Sequence, residues 1–225
     1  MDRVVEPELM NDPEQVLAYS NADFEEAHQS VVDNFAQIFP DLFLDSETSQ
    51  VILDLGCGSG DVTTRFAQRF PNIKIDALDG AEEMLKQAEL LIEKQALSER
   101  ITLHHQSLSS CMFKNGSYHA IISNSLLHHL HNPQQLWSII KQIATTDTAI
   151  YVCDLFRPET TQAASDLVDQ YANNEAEILR KDFYNSLIAA FTPDEVRTQI
   201  NNAELDSLQI DIVSDRHMLI YGYLQ

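Results

Sequence analysis

Val51–Arg65 reads VILDLGCGSGDVTTR: a short apolar run, a burst of glycine, then the start of a helical pattern. The chain has six glycines in 225 residues, and Gly56, Gly58 and Gly60 crowd into this one stretch. VILDL reads as a buried strand and DVTTRFAQRF as an amphipathic helix, so GCGSG is the turn that joins them. Such a turn sets backbone N–H groups at a helix N-terminus, where glycine permits unusual dihedrals and close approach of a ligand.

Working outward, IKIDALD (73–79), ITLHH (101–105), YHAIIS (118–123) and AIYVCDL (149–155) are further short runs rich in Ile and Val. Between them, DVTTRFAQRF, AEEMLKQAELLIEKQ and PQQLWSIIKQIA place apolar residues three and four apart. Strand and helix therefore alternate, which predicts an α/β fold with a parallel, doubly wound sheet. Two flanks break the rhythm: an amphipathic N-terminal region over 12–39, and a helical stretch after the fifth strand, PETTQAASDLVDQYANNEAEILRKDFYNSLIAAF. Both are candidate covers over a site. The end, LDSLQIDIVSDRHMLIYGYLQ, alternates as two strands with a turn near Ser214 and Asp215, an antiparallel hairpin closing the sheet.

Composition bounds the function. Thirty-five acidic against 14 basic residues leave a net charge of −21, a field that repels nucleic acid and anionic lipid surfaces. The acidic start MDRVVEPELMNDPEQ has no signal-like apolar run, and no segment has the length of a membrane span, so a cytoplasmic location without membrane partner is expected. Cys57, Cys111 and Cys153 are widely spaced and form no CxxC, so reduced thiols are expected rather than disulfides or a zinc site.

The glycine spacing separates two ligand classes. A dinucleotide fingerprint GxGxxG needs glycine at position 61, which is Asp61; the pattern here is GxGxG. Asp54, at the strand end, would repel a pyrophosphate but suits a cationic ligand. Asp79 ends the second strand, where a carboxylate can accept both hydroxyls of a ribose. A nucleoside without a pyrophosphate satisfies both acids.

With these residues in hand, the sequence resembles the class I S-adenosylmethionine-dependent methyltransferases, most closely their small-molecule branch, of the methyltransferase type 11/25 kind. DLGCGSG is similar to that family's first motif and ALDGAEEML to its second, followed in order by ITLHHQSLSS, SYHAIISNSLLHHLHNP and YVCDLFRP, over about 48–158. The resemblance implies a Rossmann-like, doubly wound seven-stranded sheet, mostly parallel with the antiparallel C-terminal hairpin, and helices on both faces. It implies one methyltransferase domain: an N-terminal helical cover (1–45), a cofactor-binding core (48–155), a helical lid (156–192), and a last helix with the hairpin (193–225).

By that resemblance S-adenosylmethionine is the cofactor and S-adenosylhomocysteine the product. Asp54, Gly56, Cys57 through its backbone and Gly58 would hold the methionine part, Asp79 the ribose, and Gly80 and Met84 the adenine side, with Gly60 counted among the cofactor-binding residues. Ser107 and Leu108 would flank the adenine ring, with Asn124 and Ser125 beneath the methionyl group. The chain departs from many relatives at Ser107 and His119, where they carry Asp, and at Thr146-Asp147, where they have a Pro-Gly turn.

On the acceptor side, His128 follows the fourth strand and is the candidate general base, with structural packing as its alternative. His128, His129 and His131 have no Cys or second acidic cluster near them in sequence, so no metal is expected. Arg157 could pair with a substrate carboxylate or make an ordinary salt bridge, as could Arg216 beside His217. Tyr184 and Asn185, with Asp182 and Phe183, mix aromatic and hydrogen-bonding groups as a small-molecule pocket requires, and Tyr19 could close the site from the other side. The expected activity is in-line methyl transfer to a small-molecule acceptor, natural-product-like or quinone-like, by a monomer or homodimer. Two alternatives stand beside it: a non-catalytic S-adenosylmethionine-binding sensor or partner protein, and a nicotinamide dehydrogenase, which Asp54 and Asp61 disfavour.

Overall fold

The computed structural model describes residues 1–43, 50–111, 113 and 116–224. Positions 44–45 of the expected N-terminal cover, 48–49 of the expected core and residue 225 lie outside the described residues. In chain order the elements are α1 (Pro13–Asn21), α2 (Glu25–Ile38), β1 (Gln50–Leu55), α3 (Asp61–Arg69), β2 (Ile73–Asp79), α4 (Glu82–Lys94), β3 (Ile101–His105) and β4 (Ala120–Asn124). A short 3-10 turn, Leu127–His129, leads to α5 (Gln134–Ile143), β5 (Ala149–Leu155), α6 (Thr161–Tyr171), α7 (Glu177–Ala189), α8 (Pro193–Asn202), β6 (Gln209–Ile212) and β7 (His217–Tyr223).

The strands form one seven-stranded sheet in the order β3-β2-β1-β4-β5-β7-β6. The first five in sequence pair in parallel, and β7 runs antiparallel to both β5 and β6. This is the doubly wound sheet with a C-terminal hairpin that the alternation predicts. Strand order reverses between β1 and β4, so the crevice for a ligand lies outside the carboxyl ends of those strands.

Period-two alternation builds a core on each face. Ile52, Ala120, Ile122, Ala149, Tyr151 and Cys153 point toward α2, α3 and α4, where they meet Val32, Phe35, Phe66 and Ala88. Leu53, Leu55, Ile121, Ile150 and Val152 point the other way and pack on Leu136, Trp137, Ile140, Val196 and Ile200 of α5 and α8. Buried polar tips are paired across the layers: Tyr151 Oη donates to the Val31 carbonyl at 2.9 Å, and Trp137 Nε1 to Gln199 Oε1 at 3.0 Å. β4 begins at Ala120 rather than Tyr118, whose hydroxyl donates to Asp76 and whose carbonyl accepts from Thr148 instead of joining the ladder. Capping fixes the helix starts near the site: Asp12 caps α1, and Thr192 with Glu195 forms a reciprocal capping box on α8. No described helix is long and apolar enough to cross a membrane.

Candidate functional site

The glycine turn leaves β1 with Gly56 at φ +78°, Gly58 at +53° and Gly60 at +82°. At Gly56 a Cβ would stand 2.8–2.9 Å from Leu126 side-chain atoms, so both its dihedral and its neighbour require glycine. At Gly58 a Cβ would meet nothing within 4 Å. Its bare side faces open space, a cradle in which a ligand can lie against backbone.

Two carboxylates flank this turn. Asp54 in β1 is 2% exposed and accepts a 2.6 Å hydrogen bond from Thr63 Oγ1. Burial pushes its carboxyl up to about 7, against the Thr63 hydroxyl, which pulls it down. Asp79, at the end of β2, accepts from the Gly58 amide at 2.8 Å and the Ala81 amide at 2.7 Å. Burial raises it too, opposed by those amides. Paired anions at the ends of neighbouring strands, beside a glycine cradle, suit a ligand with a cationic head and a hydroxylated middle.

The turn does not work as an array of free donors, as its position before a helix suggests. Gly56 and Cys57 amides both donate to the Leu78 carbonyl at 2.8 and 2.9 Å, Gly58 to Asp79, and Gly60 to the Cys57 carbonyl at 3.0 Å. Three of these N–H groups lock the turn to β2 and the fourth closes the turn on itself, so its contribution is shape and close approach.

The remaining expected site residues fall into two groups. Gly80 lies under Leu9, and Met84 packs with Val16, Ala81, Met10 and Tyr19. Tyr19 therefore sits on the Asp79 side; burial, then the charges of Asp61 and Asp79, push its hydroxyl to about 12. A cavity of about 310 Å³ opens beside the turn, lined by Tyr19, Phe24, His28, Ser59, Asp61 and Arg65 among others. Leu108 is buried, whereas Ser107 is exposed and, among the described side chains, bonds to the Ser109 and Ser110 hydroxyls. Asn124 ends β4 and donates to Ser125 Oγ at 3.2 Å; Ser125 takes φ +53°, a left-handed conformation rare outside glycine.

The second group gathers where β4 and β5 end. His128 is buried, its Nδ1 2.6 Å from Asp154 Oδ1, and its Nε2 faces Glu6 Oε1 at 3.7 Å. Glu6, which sequence reasoning missed, arrives on the N-terminal segment and accepts from Ser186 of α7 at 3.1 Å. Arg3 anchors that segment by donating to the carbonyls of Ala189, His128 and Leu130. Tyr184 packs with Phe183, Leu155 and Leu187, and Asn185 is half-buried on the same helix. Arg157 departs from a substrate role: it is buried and spends its guanidinium on Met1 and Ala190 carbonyls and on Glu195 at 2.7 Å. Arg216 bonds Asp215 and lies 3.4 Å over the Tyr171 ring. Both are salt bridges of the fold.

The family described as a methyltransferase domain matches residues 52–146, the span that holds the turn, both carboxylates and β4. Over these residues the chain carries a methyltransferase-type domain, similar to those of the class I S-adenosylmethionine-dependent methyltransferases. The biotin biosynthesis bifunctional protein BioHC of Teredinibacter turnerae is 31% identical over 151 residues, 64% of this chain and 26% of that protein. The malonyl-[acyl-carrier protein] O-methyltransferase of Bacillus cereus is 35% identical over 118 residues, 52% of this chain and 42% of its own. The chain thus spans less than half the length of these two relatives. The plantazolicin methyltransferase BpumL, solved with S-adenosylhomocysteine, shares the fold at a TM-score of 0.68 and 16% identity, covering 94% of this chain and 91% of its own.

Proposed function

We propose that this methyltransferase moves a methyl group from S-adenosylmethionine to a small-molecule acceptor. The observation that carries the reading is the pair Asp54 and Asp79 around the open side of Gly58, inside the span that matches the family. The residues fit the cofactor: Asp79 for the ribose, Asp54 with the turn for the methionine part, and Gly80, Met84 and Leu108 for the adenine. Tyr19 and the α1 segment close that side.

A bound sulfonium supplies an already activated methyl, so the protein's work is alignment and exclusion of water. The β4 end, with Asn124 and Ser125, forms the floor between cofactor and acceptor. Residues of α7, among them Tyr184 and Asn185, and the N-terminal segment cover the acceptor side and keep water out. A base enters only where the acceptor loses a proton before attack, and His128, oriented by Asp154 at Nδ1, is the imidazole in position for it.

The acceptor chemistry is narrowed by charge. Arg3 and Arg157, two cations beside the β4 and β5 ends, are engaged by carbonyls and Glu195. A neutral or cationic metabolite therefore suits this chain better than a free carboxylate, in contrast with what the malonyl relative's name says of that protein. The test is release of S-adenosylhomocysteine from S-adenosylmethionine in the presence of phenolic, amine and carboxylate acceptors. Turnover with the first or second group supports the reading; turnover with carboxylates alone rejects the acceptor assignment.

A further inference from the structure

Glu6 Oε1, His128 Nε2 and His129 Nδ1 converge on one point. His128 has Nδ1 engaged with Asp154, so its Nε2 carries the free lone pair. The buried Nδ1 of His129 has no hydrogen-bond partner and is free to offer a lone pair. Both face the same carboxylate oxygen, Glu6 Oε1, at 3.7 Å from His128 Nε2 and 3.2 Å from His129 Nδ1.

With His128 Nδ1 donating to Asp154, the three inward atoms can all act as acceptors, and a positive species between them resolves their repulsion. The spacing selects which. Zinc-type bonds of about 2.05 Å in a tetrahedron put ligand atoms about 3.3 Å apart, and the two distances bracket that value. All three ligand atoms lie within 4.8 Å of one another. The supports are present as well: Asp154 orients His128 through its far nitrogen, as carboxylates do behind metal-bound imidazoles, and Ser186 holds Glu6. Arg3, the neighbouring cation, points its donors at the carbonyls of Ala189, His128 and Leu130.

We infer that Glu6, His128 and His129 bind one divalent transition ion of the zinc type, with the fourth position open to water or an acceptor oxygen. The ion ties the N-terminal segment to the ends of β4 and β5, beside the methyl-transfer crevice. It commits the His128 Nε2 lone pair, so an ion and a base role for that nitrogen exclude each other.

The test uses the full chain stripped with a chelator and titrated with cobalt(II), then with zinc. The expected result is one equivalent of cobalt with tetrahedral ligand-field absorption, displaced by zinc. Zinc affinity falls at least tenfold in Glu6→Gln and in His129→Ala, with His129→Gln as a second variant should the first fail to fold. S-adenosylhomocysteine titrated into the same samples checks the cofactor site separately and stays as in the parent. Absence of ion binding, or zinc affinity equal in the parent and both variants, overturns the inference and leaves a proton as the species between these groups.

Discussion

Asp54→Asn isolates the most buried charge of the cofactor site. In the folded chain Asp54 titrates near 7, because it is 2% exposed and the Thr63 hydroxyl only partly replaces its lost hydration. In the unfolded chain an aspartate titrates near 3.9. The folded value lies above the unfolded one, so between those limits the native state holds a proton the unfolded state has released. The contribution is fully present below about pH 4, falls as pH rises, and is gone above about 7. Three units correspond to about 4 kcal/mol in all, at most about 1.4 kcal/mol per pH unit. Urea unfolding of the parent and Asp54→Asn from about pH 5 to 8 measures it: the parent should lose stability relative to the variant with rising pH, then level off near 7. A difference that stays flat over this range refutes the assignment of a raised Asp54. The same linkage predicts that affinity for the cationic cofactor rises with pH toward 7 in the parent and not in the variant.

Asp79→Ala removes the acceptor for the Gly58 and Ala81 amides and the proposed ribose contact, so cofactor affinity should fall at least tenfold by calorimetry; unchanged affinity would sink the site assignment. The two glycines should separate folding from binding. Gly56→Ala drives a methyl into Leu126 from a left-handed dihedral and should cost about 2–4 kcal/mol of unfolding free energy. Gly58→Ala meets open space, should cost only about 1 kcal/mol of strain, and should nonetheless weaken cofactor binding. Equal destabilisation by both, with no effect of Gly58→Ala on binding, would contradict the cradle.

The sheet was legible because its central strands are buried on both faces and the strands are separated by segments of three- and four-residue spacing, so VILDL and AIYVCDL could hardly be anything else, with IKIDALD and ITLHH beside them in the same rhythm. The hairpin was legible from alternation around Ser214 and Asp215. The carboxylates Asp54 and Asp79 were legible from their place relative to the glycines. What the residues alone concealed was partnership across distance. Nothing in MDRVVEPEL marks Glu6 for His128, since the N-terminal segment is placed by Arg3 reaching three carbonyls from other elements. Arg157 could be read from the sequence as a substrate cation or as a salt bridge, and only the fold shows the Glu195 carboxylate and two carbonyls that engage it. The Gly56, Cys57 and Gly58 amides looked free because their acceptors, the Leu78 carbonyl and the Asp79 carboxylate, belong to a strand two elements later in the chain. The left-handed Ser125 carries no compositional signal, because nothing about serine announces positive φ.

The central claim, that Asp54, Asp79 and the glycine turn hold S-adenosylmethionine, is tested most directly by calorimetric titration of the chain with S-adenosylmethionine and S-adenosylhomocysteine, with NADH as control. The account predicts one site for each of the first two at micromolar affinity and no heat from NADH. Tight NADH binding with no response to either sulfur ligand would contradict it.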